Sequence, residues 1–115
     1  MFRFTELKVW QKAIVITNKL FDIADELAKK GLYQFAEQLR GAALSITNNI
    51  AEGSACQSRK GFSQFLNYSR RSAFEVVNML YIFALRKYIT EGIKDTLSAE
   101  LEELCRMLSG FMKNF

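Results

Sequence analysis

The 115-residue chain has no histidine and no proline, only 6 glycines and only 2 cysteines. Without histidine it lacks the commonest general base near neutral pH and the commonest neutral metal ligand. Without proline, and with few glycines, nothing breaks long stretches of Leu, Ala, Phe, Lys and Glu, and such stretches favour helices over strands. Cys56 and Cys105 match no zinc spacing and no disulfide framework, so two thiols in a reducing cytoplasm are expected. The longest apolar run, residues 76–85, is far shorter than the roughly 18 residues of a membrane span, and basic residues follow it at once. The first residues also lack the apolar core of a signal peptide, so neither a membrane protein nor a secreted one is expected.

What is present is a chain that is 50% hydrophobic, enough for one domain with a real core, read here as spanning residues 1–115. The formal charge of +4 is uneven. Residues 1–90 carry 13 Lys or Arg against 7 Asp or Glu, while residues 91–115 carry 3 against 5. This distribution suits attraction to a polyanion, and equally charge complementarity between subunits.

Four segments show helical periodicity. In residues 5–29, Leu7, Trp10, Ala13, Ile14, Thr17, Leu20, Phe21, Ala24 and Leu27 recur three or four apart. Thr5 is the candidate cap, and Gly31 suits the position after the C-terminus. Residues 32–55 place Leu32, Phe35, Leu39, Ala43, Ile46 and Ile50 on one face. Residues 59–87 do the same with Phe62, Phe65, Ser69, Ser72, Val76, Leu80 and Phe83, with Ser58 as candidate cap. The fourth segment starts at 94 or 96 and runs to 112, with Leu97, Leu101, Leu104, Leu108, Phe111 and Met112 facing inward. Short links make successive helices antiparallel. The expected fold is therefore all-α, an up-down-up-down four-helix bundle about 37 Å long at 1.5 Å per residue.

A bundle helix needs one broad apolar face, and two of these have more. Phe74, Val77, Tyr81 and Leu85 lie off the main face of the third helix, and Tyr33, Leu44 and Ala51 off that of the second. Each large apolar side chain that is buried contributes about 1.5–3 kcal/mol. The expectation is that these residues meet another subunit in a homo-oligomer, rather than lying in the bundle's own seams.

A polar stripe adds a second irregularity. Gln38, Ser45, Asn49 and Glu52 share an edge of the second helix, with Gly41 and Ala42 as a region of close approach. Ser72 and Glu75 lie on the third helix, and Arg71 stands four residues before Glu75. If these groups are buried they need partners. Arg40 or Arg71 then supplies positive charge, and the network of Arg40, Ser45, Asn49, Glu52, Arg71, Ser72 and Glu75 fixes helix register or subunit geometry. Paired carboxylates also suggest acid-base or metal chemistry, but no Glu-x-x-His motif and no third ligand accompany them. Neither thiol has a histidine activator. The chain is not expected to be an enzyme, and no metal or cofactor is assigned.

Lys8, Lys12, Lys19, Arg59, Lys60, Arg70, Arg71, Arg86 and Lys87 are candidate phosphate contacts for RNA or DNA without sequence readout, with Asn67 and Tyr68 nearby. An ordinary solvated basic surface has the same composition. No helix-turn-helix, zinc finger or phosphate loop appears.

Phe4-x-x-Leu7-x-x-Trp10-x-x-Ala13, Gln38-Leu39-Arg40 with Ala42, Ser45-Ile46, Asn49-Ile50-Ala51-Glu52-Gly53, Phe65-Leu66, Ser72 and Glu75 together resemble the proteins encoded within bacterial 23S ribosomal RNA intervening sequences. The resemblance covers nearly the whole chain and implies a four-helix bundle. This chain departs from the family pattern at Gly41, where another basic residue is usual, at Thr47, often proline, and at Arg71, often glycine. A similar fold occurs in the accessory proteins of diversity-generating retroelements, which form pentamers, bind nucleic acid and partner a reverse transcriptase. The resemblance therefore implies a pentameric basic scaffold, with such a partner only where the gene lies in a retroelement.

Overall fold

The first helix does not start at the sequence-derived cap. In the computed structural model, which describes residues 2–114, a 3-10 turn at Arg3–Glu6 precedes it. The Thr5 hydroxyl donates back to the Phe2 carbonyl at 2.9 Å. Helix α1 is Lys8–Lys29, and Leu7 stands at its N-cap without a side-chain bond. Phe4 packs edge-on against Trp10, with ring centroids 5.3 Å apart, and this apolar contact fixes the chain's entry in place of a polar cap.

Helices α2 (Tyr33–Ser54) and α3 (Arg59–Leu85) follow. The Ser58 hydroxyl caps α3 by accepting from the Gly61 amide at 3.0 Å. Helix α4 is Glu91–Lys113, so it begins three to five residues earlier than the apolar period indicates. Its cap is Thr90, whose hydroxyl accepts from the Ile93 amide at 3.1 Å. The first turn carries Glu91 and Gly92 and buries nothing, so hydrophobic spacing cannot reveal it.

Helices α1 and α3 end in the same way. Gly31 takes φ +82°, Leu32 N–H bonds the Leu27 carbonyl, and Gly31 N–H bonds that of Ala28. This Schellman arrangement recurs at Lys87, φ +63°, with Tyr88 N–H on Phe83 and Lys87 N–H on Ala84. A lysine pays a steric penalty in that backbone region that glycine does not. Lys87 is exposed and makes no ion pair among the described residues. Lys87→Gly is therefore expected to stabilise the fold by about 0.5–1 kcal/mol. A thermal melt checks this, the expected rise being roughly 2–4 °C.

The helices pack as an antiparallel up-down square. Each packs on its two neighbours in the order α1, α2, α3, α4, and α4 returns to α1, while the backbones of diagonal helices come no closer than 8 Å between Cα atoms. One core runs through all four, from Val9 and Ile16 through Leu39, Ile46 and Leu80 to Leu101 and Leu108. The molecule measures 44 × 23 × 19 Å. The order of the helices leaves three faces that matter below: the α1–α2 flank, the α2–α3 face and the α3–α4 flank.

Candidate functional site

Hydroxyl groups join α2 to α3. Buried Ser69 donates to the Ile46 carbonyl at 2.7 Å. Half-buried Ser45 and Ser72 share a hydroxyl–hydroxyl bond of 2.8 Å. Asn49 donates from its amide nitrogen to the Ser45 carbonyl at 2.8 Å and the Ser45 hydroxyl at 3.0 Å. Short side chains bonding backbone allow the two helices to approach closely, and each satisfied buried polar group adds about 1 kcal/mol net. Below this network, Gly53 is buried against Phe62 and Phe65 of α3. The sequence places Ser69 on the apolar face of the third segment but does not reveal its partner, because the acceptor is backbone.

Three of the seven expected network residues therefore meet: Ser45, Asn49 and Ser72. The charged members do not join them. Glu52, Arg71 and Glu75 are exposed, and none of their side chains makes an ion pair or hydrogen bond among the described residues. Arg71 and Glu75 stand one turn apart without closing to a pair. Arg40 lies on the other side of α2. It bonds Asp25 of α1 at 2.8 Å and Glu37 at 2.6 Å. These carboxylates, Asp25 foremost, raise its pKa and hold the guanidinium charged. The expectation of a buried, charged register lock is thus corrected: the charged groups remain in water, and neutral hydroxyls hold the helices together. Glu52→Ala and Glu75→Ala are consequently expected to change the melting free energy of the isolated chain by no more than about 0.5 kcal/mol. A urea melt at micromolar concentration checks each.

The α2–α3 face is a shallow groove. Its upper part, about 590 Å³, is lined by Phe35, Gly41, Ser45, Glu75, Met79 and Ile82 among others. It continues past Asn49, Arg71 and Tyr68. Among the described residues, no group of three or more Cys, Asp or Glu is placed to hold a metal ion. Cys105 is half-buried on α4, where burial pushes its thiol pKa up, Arg70 opposes the shift and Glu102 adds to it.

The candidate phosphate contacts do not form one face. Lys8, Arg59 and Lys60 are exposed at the end of the bundle where α1 and α3 begin. Arg3 sits at the same end, its guanidinium 5.8 Å from the Phe62 ring centroid. Arg86 and Lys87 are exposed at the opposite end, beside the α1–α2 turn, where Lys30 donates to the Tyr88 carbonyl at 2.7 Å. Lys19 is committed to Glu100 of α4 at 2.7 Å. Arg70 is half-buried over Phe74, 5.0 Å from its ring centroid, and its Nε is buried without a partner. Lys12 is half-buried, and Arg71 stands alone in the middle of α3.

The extra apolar residues also separate. Tyr33 (68% exposed) and Leu44 lie on the α1–α2 flank, because Arg40, four residues before Leu44, reaches Asp25 of α1. Ala51 follows on the same edge, half-buried. Phe74 (58% exposed), Tyr81 and half-buried Val77 border a groove with Asp95, Ser98 and Glu102 of α4. Leu85, 78% exposed, continues that stripe one turn beyond Tyr81. Lys94 of α4 lies 4.6 Å from the Tyr81 ring centroid. The two stripes thus occupy opposite sides of the bundle. No described helix is long and apolar enough to cross a membrane.

A family model described as 23S rRNA-intervening sequence protein matches residues 5–110. A crystal structure of a protein of unknown function from the S23 ribosomal protein family of Bacteroides thetaiotaomicron VPI-5482 superposes with a TM-score of 0.87. It shares 23% identity, over 91% of this chain and 98% of that one, a likeness that shows the fold. No curated protein matches the chain.

Proposed function

We propose that this chain, which belongs to the 23S rRNA-intervening sequence protein family, is a homo-oligomeric helical scaffold whose repeated basic ends bind RNA or DNA. The observation that carries the reading is the apolar surface left over once the core is closed. Tyr33, Leu44, Phe74, Tyr81 and Leu85 remain exposed although Leu39, Ile46, Val76 and Leu80 already fill the interior. Large aromatic and aliphatic groups on opposite flanks of a small bundle suit contacts with other copies. A pentamer is the number that the likeness to retroelement accessory proteins suggests, and a reverse transcriptase is a partner only for a gene in that setting. The proposed setting is the cytoplasm. No catalytic role, metal or cofactor enters the proposal.

The second reading, a dedicated RNA- or DNA-binding accessory protein without sequence preference, rests on the exposed cations at Lys8, Arg59 and Lys60 and at Arg86 and Lys87, which make no ion pair among the described residues. Assembly repeats these ends and so raises avidity for a polyanion. Particle mass by sedimentation over a concentration series tests the scaffold, and a monomer at hundreds of micromolar would sink it. Nucleic-acid affinity is expected to fall steeply with salt. Arg59→Ala with Lys60→Ala is expected to flatten the slope of log K against log salt by about 1–2. Equal affinity for wild type and double variant at low salt would remove these ends from the contact.

A further inference from the structure

We infer that, given the nucleic-acid binding proposed above, the end of the bundle where α1 and α3 begin takes single strands, with an unpaired base stacked on the Phe2 ring. Phe2 is the most exposed aromatic among the described residues, at 77%. It is nevertheless held in place. Its carbonyl accepts from the Thr5 hydroxyl at 2.9 Å and from the Thr5 amide at 3.4 Å. Gln11 of α1 in turn donates to the Thr5 carbonyl at 3.1 Å. The rings form a short ladder. Phe2 and Phe4 have centroids 6.0 Å apart and planes tilted by 33°, and Phe4 meets Trp10 edge-on. Trp10 packs against the core. Phe2 is thus supported from below while most of its ring faces water. An exposed ring fixed in this way gains little within the chain, but it is a preformed platform for another flat apolar group.

The surroundings identify that group. Arg3, Lys8, Arg59, Lys60 and Lys113 stand in the turns that close this end, against two carboxylates, Glu6 and Glu52. All seven are exposed, and none makes an ion pair among the described residues. The Arg3 guanidinium lies 5.8 Å from the Phe62 ring centroid, and Phe62 follows Arg59 by one turn, so the aromatic turn adjoins the start of α3. At the opposite end several cations are already engaged: Lys29 by Glu26, Lys94 by Glu91, and Lys30 by the Tyr88 carbonyl. A polyanion that also offers unpaired flat rings is a single-stranded nucleic acid. A duplex supplies the phosphates but keeps its base faces stacked on one another. An anionic lipid surface supplies phosphates too, but it is held by a broad apolar face, and Phe2 is the one large apolar residue exposed in these turns. Stacking on a ring tolerates any base, so no sequence preference is implied. The molecule is 23 × 19 Å in cross-section, which suits a site of about 4 nucleotides, the short end of the range for such proteins.

The test measures binding of the full-length protein to short oligo-dT, to an abasic strand of the same length and to a duplex of that length. Phe2→Ala keeps every charge and removes an exposed ring, and Phe2→Trp keeps a ring there. Wild type is expected to bind oligo-dT about tenfold more tightly than the abasic strand. Phe2→Ala is expected to lose that margin, with unchanged affinity for the abasic strand and the duplex and an unchanged slope of log K against log salt. Phe2→Trp is expected to restore the margin. Wild type that binds the abasic strand as tightly as oligo-dT would overturn the proposal, and that measurement needs no variant. Phe2→Ala with the margin intact would overturn it as well, as would an equal loss on all three probes, since Phe2 would then act by holding the turn. Vesicles containing an anionic phospholipid are the remaining probe: Phe2-dependent binding to them, with no preference for bases, would assign this end to a lipid surface instead. Wild type that binds none of the nucleic acids at low salt would remove the nucleic-acid reading itself, an outcome distinct from binding without preference.

Discussion

Leu80→Ala is expected to lower folding stability by about 2–5 kcal/mol, and Leu85→Ala, five residues further along the same helix, by less than about 0.5 kcal/mol. Leu80 is fully buried at the centre of the core, and Leu85 is 78% exposed at the end of α3. Truncating Leu80 removes its transfer free energy and leaves a cavity between helices that cannot collapse freely, because Ser69, Ser72 and Val76 hold α3 against α2. Truncating Leu85 removes atoms that already face solvent. The melting temperature is expected to fall by roughly 10 °C or more for Leu80→Ala and to stay within a few degrees for Leu85→Ala. Measured at low concentration, the pair reports on the isolated bundle. Measured at high concentration, Leu85→Ala becomes informative about assembly: a loss of stability that appears only there locates Leu85 in a contact between copies. Equal losses for both leucines at all concentrations would mean that the α3–α4 flank is covered within the single chain.

The core was legible in the sequence because its signal is periodic. Leu39, Ile46, Val76, Leu80, Leu101 and Leu108 recur at helical spacing, and all six are buried in the structure. The Ser58 cap and the Gly31 stop were legible because capping hydroxyls and left-handed glycines have local signatures. The start of α4 was not, since its first turn buries nothing and only the Thr90 hydroxyl marks it. Longer-range relations were less legible still. Ser45 and Asn49 share an edge with Glu52, but an edge does not reveal depth: the serine bonds Ser72 of α3, the asparagine bonds the serine, and Glu52 stays in water. The stripes on α2 and α3 look alike on two helical wheels. The directions of α1 and α4 relative to them decide that they face opposite ways, and those directions come from packing. The basic residues follow the same logic. Their scatter along the chain concealed that antiparallel packing gathers Lys8, Arg59 and Lys60 at one end and sends Arg86 and Lys87 to the other.

Gly53→Ala is expected to destabilise the bundle by about 1–3 kcal/mol even after the gain in helix propensity is counted. A Cβ built on Gly53 would lie 2.9 Å from Phe62 Cδ1 and 2.9 Å from Phe65 Cβ. The second contact is the more serious. A Cβ atom moves only with its backbone, so relief requires α3 to shift away from α2 and to stretch the Ser69 bond to the Ile46 carbonyl. The Phe62 ring cannot turn aside freely either. It is 6% exposed, meets the Phe111 ring of α4 edge-on at 5.4 Å, and lies under the Arg3 guanidinium. Gly41 provides the control within the same helix. It is exposed, and a Cβ there would meet nothing within 4 Å. Gly41→Ala is therefore expected to stabilise the isolated chain by about 0.5–1 kcal/mol. Opposite signs for the two substitutions in parallel denaturant melts identify Gly53 as the point where α2 and α3 approach most closely. A neutral Gly53→Ala would mean that the two helices separate there without loss, and the hydroxyl contacts above it could not then set their spacing.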